Sequence, residues 1–356
     1  MDSLLIYPSN LISPTINPSK ITRYRNNIIF TIGYDTLDKI EIGPLQSNGI
    51  VKPAISNLLV SELAIEICQY MIQYLESMTQ LPIYQTKCKE GFWRHIQVRE
   101  NSNRQYLINF RVHFLNQYQE LFHQESSQLV SYLQSNIKYD LIQINYQEII
   151  GKKEPTPQDK IYSLYYHSNL YQEMLDRIFE IHPLAFFQVN YETASLIFQK
   201  VRDLVIPNPN TLLLDVCCGV GIYSILLGDK FSRTIGIDSN PCNIKAANSI
   251  SRLNHLEHKC QFILGKVENE IEKYLTESNI TVILNPSRSG IDEKLAYFWR
   301  DNLDKIEQFI YVSCNPKTLV RDLKRMNFSM SHILEIIPVN QFPNTNELEV
   351  IVNLKL

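Results

Sequence analysis

From residue 208 onward the chain alternates between short apolar runs and segments of helical spacing. The apolar runs are 211–217, 234–238, 261–264, 280–284 and 309–313. The segments that follow them are 221–227, 240–253, 267–274, 292–301 and 316–326. Short, continuously apolar runs bounded by turn residues read as strands buried on both faces. Strands separated by helices cross over in one sense, so neighbours run parallel and helices cover both faces of the sheet. The chain ends differently. Runs 333–339 and 347–354 are joined by the turn-rich piece 340–346, which predicts an antiparallel hairpin closing the sheet.

Before residue 181 the pattern is mixed. Residues 28–33 read as a strand, and 56–77 as a helix with Leu59, Leu63, Ile67, Met71 and Leu75 on one face. Two further strands, 93–99 and 105–114, flank the polar connection 100–104. A helix follows over 117–134, a strand over 139–146 and a loop over 151–158. The reading is an α+β domain over 1–180, followed by an α/β domain over 181–356.

No apolar run approaches the ~18 residues that a membrane helix needs, and the first residues carry neither a basic nor a long apolar stretch. Neither a membrane protein nor a leader peptide is expected. The 7 cysteines stand at irregular spacing with no Cys-x2-Cys pair. Free thiols in a reducing intracellular compartment are expected, with no metal or iron–sulfur cluster. Cytoplasm or nucleus is the expectation, with the mitochondrion left open. The net charge of −3 does not advertise a nucleic-acid binder, so any such activity must gather its positive charge locally.

The first strand-to-helix turn reads Leu214-Asp-Val-Cys-Cys-Gly-Val-Gly-Ile-Tyr-Ser224. Gly219 and Gly221 permit close approach of a ligand to the backbone, but Ser224 stands where a dinucleotide fingerprint has its third glycine. Asp215 precedes the glycines, and Asp238 ends the second strand. Carboxylates there suit ribose hydroxyls. S-adenosyl-L-methionine, with a ribose, a cationic centre and no phosphate, fits that pattern better than NAD.

Two loops sit at the other strand ends. Leu284-Asn-Pro-Ser-Arg-Ser-Gly290 leaves the fourth strand, where Arg288 can orient a uracil or a phosphate. Tyr311-Val-Ser-Cys-Asn-Pro316 leaves the fifth. Asn315 suits an N-cap and Pro316 a first helical position, so Cys314 falls at a helix N-terminus, where a thiolate is expected to be stabilised.

Together with Phe186-Phe-Gln-Val-Asn190 and Phe342-Pro-Asn-Thr-Asn-Glu-Leu-Glu349, these motifs occur in the order found in the RNA 5-methyluridine methyltransferases. Tyr24-Arg-Asn26 and Glu90-Gly-Phe-Trp-Arg94 also resemble that family, closest to its eukaryotic tRNA (uracil-5-)-methyltransferase branch. The resemblance implies a class I methyltransferase domain, whose sheet ends in such a hairpin, acting as a monomer on RNA, above all tRNA. It implies S-adenosyl-L-methionine as cofactor, with Gln188, Asp238 and Asn285 on cofactor-contact positions. Cys314 becomes the nucleophile that adds to uracil C6, and Glu349 the base that removes the C5 proton. RNA contact is expected from Tyr24, Arg25, Trp93 and Arg94, through stacking and charge.

The chain departs from the family pattern in places. Asn285 and Ser287 stand where the family usually has Asp and a second Pro, and Glu347 where it has His. Two other readings stay open at this point. One is a tRNA-binding or folding factor with a drifted site. The other is an amino-group methyltransferase, suggested by Asn285-Pro286, although Arg288 stands where that chemistry wants an aromatic ring.

Overall fold

The computed structural model describes residue 4 and residues 6–86, 88–113, 116–149, 160–275 and 279–356. The loop expected over 151–158 lies outside the described residues. The chain forms two compact units.

The first unit holds Thr22–Gln172 and Ile181–Leu184. Its elements are β1 (Asn27–Tyr34), β2 (Ile40–Gly43), α1 (Glu62–Ser77), β3 (Trp93–Glu100), β4 (Tyr106–His113), α2 (Asn116–Asn136), β5 (Leu141–Ile149) and β6 (Tyr162–Tyr166). The strands form one sheet in the order β2-β1-β3-β4-β5-β6. All neighbours are antiparallel except β4 and β5, the pair that α2 separates in sequence. Alternation along each strand sends Phe30, Ile96, Ile108 and Ile144 into a core shared with Leu63, Ile67 and Met71 of α1. The opposite face carries carboxamides that bond across strands: Asn109 donates to Gln147 at 3.0 Å and Gln97 to Asn27 at 3.0 Å. Helix α1 starts later than the expected residue 56. Asn57 closes a turn by accepting from the Leu59 N–H, and Ser61 caps the helix by accepting from the Ala64 N–H.

Strands β7 (Tyr171–Met174) and β8 (Arg177–Glu180) pair only with each other.

The second unit holds Met1–Ile21, Glu173–Glu180 and Ala185–Leu356. After α3 (Tyr191–Leu204) come β9 (Asn208–Val216), α4 (Ile222–Leu227), β10 (Phe231–Asp238), α5 (Pro241–Leu253), β11 (Cys260–Leu264), α6 (Val267–Glu270) and β12 (Ile280–Leu284). Then follow α7 (Glu293–Arg300), β13 (Ile306–Ser313), α8 (Pro316–Arg325), β14 (Ile333–Val339) and β15 (Glu349–Lys355). The sheet order is β11-β10-β9-β12-β13-β15-β14, parallel through β13. The last strand, β15, slots antiparallel between β13 and β14. The order reverses between β9 and β12, and a doubly wound sheet opens its ligand crevice at such a point, beyond the strands' C-terminal ends.

The expected single boundary at 180/181 is replaced by several crossings: residues 1–21 and 173–180 fall in the second unit and 181–184 in the first. Leu4 and Tyr7 are buried in the second unit's core, and the N–H groups of Ser13 and Ile16 donate to the carbonyls of Ile336 and Pro338 on β14. An edge strand leaves carbonyls to be satisfied, and a short stretch with two suitably spaced isoleucines (Ile12 and Ile16) does so without the length that marks a strand in sequence.

Candidate active site

The tips of β9 and β10 are wired through two carboxylates. Asp215 is wholly buried (0% exposed) beneath the turn rather than at its surface. Its Oδ2 accepts from Ser224 N–H at 3.0 Å and Ser224 Oγ at 2.8 Å. Ser224, the departure from a dinucleotide fingerprint, thus binds the first turn of α4 to the end of β9. Oδ1 of Asp215 has no partner among the described residues, and burial pushes the carboxyl up to about 6. Asp238 braces the turn from the other side. Its Oδ2 accepts from Gly219 N–H at 3.0 Å, and its Oδ1 from Asn240 N–H at 2.8 Å and Asn243 Nδ2 at 3.2 Å. The turn needs left-handed backbone at Gly221 (φ 79°), and any Cβ there would lie 2.5 Å from the Phe262 ring. At Gly219 (φ 56°) the space a Cβ would take is open.

A cavity of about 320 Å³ opens beside Asp238, walled by Val267, Ile291 and Leu295 with Glu268 at its edge. Three aliphatic side chains facing a carboxylate suit an adenosine: the base packs on the aliphatic wall and a ribose hydroxyl reaches Asp238. Oδ1 of Asp238 already accepts twice, and Oδ2 keeps one further lone pair for that contact.

Gln188 enters from the segment before α3. Its Oε1 accepts from Gln341 Nε2 at 2.7 Å, while Asn190 Nδ2 donates to the Gln341 carbonyl at 3.0 Å. This ties the 186–190 motif to the loop that leads into β15. Phe186 N–H meets Asn243 Oδ1 at 3.3 Å, which links the same motif to Asp238.

Across the crevice, the loop after β12 is fixed to α8. Asn315 Nδ2 donates to the Arg288 carbonyl at 3.1 Å, and Arg321 Nη2 to that of Ser289 at 2.7 Å. Asp322, wholly buried, accepts from Ile291 N–H at 3.0 Å and the Tyr311 hydroxyl at 2.8 Å. The turn is closed by the Ser287 carbonyl accepting from Gly290 N–H at 2.9 Å, a bond a proline there could make equally, while the Ser287 and Ser289 hydroxyls pair at 2.8 Å. Asn315 caps α8 as expected, accepting from Lys317 N–H at 3.1 Å.

Cys314 lies between the last residue of β13 and this cap. The register Ser313↔Val350 on the antiparallel pair β13–β15 sets Glu349 opposite Cys314. Glu349 is buried (5% exposed), and its carboxyl is pushed up to about 8, by burial first, with Arg288 pulling down and Glu347 pushing up. Burial likewise raises the Cys314 thiol, Glu349 raises it further, and Arg288 opposes them. The expectation of a stabilised thiolate is therefore reversed in the free protein. The helix terminus is outweighed by desolvation and a neighbouring acid. The Glu347 carboxylate repels that of Glu349, and Arg288 moderates this through a 3.0 Å contact with Glu347.

Of the remaining expected residues, Arg25 is exposed and Arg94 lies 5.0 Å from the Tyr84 ring centroid. Trp93 is corrected: it is 1% exposed and packs edge-on against Phe92, Phe110 and Phe122, so its ring is core. Tyr24 is buried too and presents no stacking face. Three residues escaped the sequence reading, Asn243, Gln341 and Tyr223, and so did the role of Ser224. Tyr223 is buried, its hydroxyl has no partner among the described residues, and it feels the charge of Glu349. Ser224 and Asn243 are signalled only by a polar residue where a helix faces the core.

No group of three His, Cys, Asp or Glu side chains that could hold a metal occurs among the described residues. No described helix is long and apolar enough to cross a membrane.

A family model described as tRNA (Uracil-5-)-methyltransferase matches residues 112–356. A Clostridium tetani protein named as an uncharacterized RNA methyltransferase is 29% identical over 78% of this chain and 59% of its own length. A Leptospira interrogans protein of the same description is 30% identical over 75% of this chain and 67% of its own. The zebrafish tRNA (uracil-5-)-methyltransferase homolog B is 28% identical over 73% of this chain and 58% of its own. The chain thus spans about three fifths of the clostridial and zebrafish relatives. Among solved structures, the Pyrococcus abyssi tRNA (uracil-54, C5)-methyltransferase in complex with S-adenosyl-L-homocysteine superposes with a TM-score of 0.78. That match is 23% identical and covers 96% of this chain and 78% of the archaeal one, so the two share a fold.

Proposed function

The chain belongs to the tRNA (uracil-5-)-methyltransferase family, and from that membership we propose that it methylates C5 of a uridine in RNA, with the T-loop uridine of tRNA as target. S-adenosyl-L-methionine supplies the methyl group as an electrophile on sulfur. The observation that carries the reading is the facing of Cys314 and Glu349 across β13 and β15, in a domain whose cavity beside Asp238 suits an adenosine. The named target of the archaeal relative and the name of the zebrafish one support the choice of base and RNA.

Uracil C5 is a weak nucleophile. Attack of the Cys314 thiolate on C6 forms a C–S bond and moves the ring electrons toward O4, so that C5 gains enolate character. C5 then takes the methyl group, and the S–CH3 bond that breaks leaves its electron pair on the donor's sulfur as a neutral thioether. Glu349, as carboxylate, removes the C5 proton, and the returning electrons expel Cys314 and restore the ring. Asp238 and Gln188 fall where they orient the donor. Asp215 acts at one remove by holding the turn. The target base must leave its stack to reach a half-buried thiol, so base flipping accompanies binding.

The test is direct. Protein, S-adenosyl-L-methionine and unmodified tRNA are expected to yield 5-methyluridine, and a 5-fluorouridine tRNA to leave RNA covalently bound through Cys314. Cys314→Ala is expected to lose both. Full activity of that variant sinks the covalent mechanism, and tRNA binding without any product favours a drifted binding factor.

A further inference from the structure

Arg288 is fixed at its backbone and paired at its tip. Its carbonyl accepts from Asn315 Nδ2 at 3.1 Å and Thr318 Oγ1 at 3.4 Å, so the main chain is anchored on α8. Its guanidinium reaches Glu347 at 3.0 Å, yet both side chains stay open to solvent, at 66% and 37%. A pair so exposed is held weakly. A phosphate offers the same guanidinium two parallel hydrogen bonds and more charge.

The surroundings decide which anion belongs there. Cys314 is faced by Glu349 on β15, by Glu347 ahead of it and by Arg288 on the loop after β12. Lys317 stands in the first turn of α8. Glu349 is faced by Arg288 and Glu347, and its charge is felt by Tyr223 on α4. Glu347 opposes ionisation of both reactive groups, and Arg288 favours it. Glu347 thus works against the chemistry next door, and its one favourable contact there is with Arg288.

We propose that Glu347 is an internal stand-in for an RNA phosphate: it occupies Arg288 in the free protein, and a backbone phosphate beside the target uridine displaces it. The proposal rests on the reading of the site as acting on RNA. It makes Arg288 a phosphate contact and Glu347 a specificity-setting competitor that a ligand without a phosphate at that place cannot dislodge.

The experiment is a double-mutant cycle on tRNA affinity, by fluorescence anisotropy with Glu347→Gln, Arg288→Gln and the double variant. Melting curves confirm that each folds. Glu347→Gln is expected to tighten tRNA binding by about 2- to 5-fold, the size of an exposed ion pair. Arg288→Gln weakens binding, and in that background the gain from Glu347→Gln disappears. A gain of equal size in both backgrounds means that Glu347 merely repels RNA, and overturns the proposal, as does no gain in either. Alkylation of Cys314 in the free protein supplies a readout independent of RNA. Its pH midpoint is expected to fall in Glu347→Gln and to rise in Arg288→Gln. Absent product with the binding cycle intact indicts the functional reading. Product formation with an uncoupled cycle indicts the stand-in alone.

Discussion

The two ends of the crevice differ in how many hydrogen bonds hold their acids. At the tips of β9 and β10, Asp238 receives three hydrogen bonds and Asp215 two, all from the turn and the helix starts around them. At the tips of β13 and β15, burial rather than hydrogen bonding governs Glu349, and it raises Glu349 and Cys314 together. Asp238, bonded on both oxygens, is a fixture: it shapes the loop and presents a constant charge to a ligand, whereas Asp215 keeps an unpartnered Oδ1 and is raised by burial to about 6, sealed beneath the turn. A buried acid raised by desolvation beside a thiol is poised to change its proton count, which is what a base and a nucleophile must do. Binding and chemistry thus draw on different strand ends of one sheet, and the loop after β12 serves both, walling the cavity with Ile291 and carrying Arg288.

The largest expected effect breaks the reactive end and leaves the other whole. Glu349→Gln should lower turnover by about 10²- to 10⁴-fold, the usual weight of a positioned base. The covalent RNA adduct at Cys314 should persist instead of resolving, while calorimetry finds cofactor affinity unchanged. The wild-type rate has a defined sign with pH. Glu349 accepts the C5 proton only when ionised, and its carboxyl is pushed up to about 8, so the rate climbs as pH rises through that value. The raised thiol moves the limb in the same direction. A pH-independent rate between 6 and 9 would show that Glu349 is not the titrating base.

The intermediate effect breaks the cofactor end. Asp238→Ala removes the acceptor for Gly219 and the acid beside the cavity together. Affinity for S-adenosyl-L-methionine should fall by about 10- to 100-fold, as expected when a charged hydrogen-bond acceptor is lost. The alkylation midpoint of Cys314 should stay where it is. A shift of that midpoint would mean that the two ends share one electrostatic unit.

The parallel sheet was legible in the chain because its five strands are continuously apolar and evenly spaced, a pattern that few folds besides a doubly wound sheet accommodate. Its closing hairpin was legible as a pair, but not its insertion beside β13, because pairing order depends on distant strands. The start of α1 was hidden by Asn57 and Ser61, whose side chains stop the helix by local bonds that apolar spacing does not register. In the site, Cys314 and Glu349 could be named, since a strand exit and a final motif carry them. The state of their protons could not. That depends on burial and on Arg288 and Glu347, which meet across 59 residues of sequence. Trp93 misled for the opposite reason: a tryptophan beside arginines looks alike on a surface and in a core, and only its packing tells them apart.

The smallest effect probes the seam itself. Asn285 lies half-exposed at the end of β12, and its N–H donates to the Val216 carbonyl at 3.1 Å, so it touches the end of β9 while starting the loop that carries Arg288. Asn285→Asp adds one negative charge there with almost no change in shape. Near a sulfonium such a charge is worth about 1 kcal/mol in a solvated setting, so cofactor affinity should rise by about 2- to 5-fold. The same charge should nudge the Cys314 alkylation midpoint upward, because it opposes a second anion. If the ends are as separate as their hydrogen bonding implies, the first change will be the larger one. If the thiol responds more than the cofactor does, Asn285 belongs to the reactive end, and the boundary between binding and chemistry runs through β9 instead of beside it.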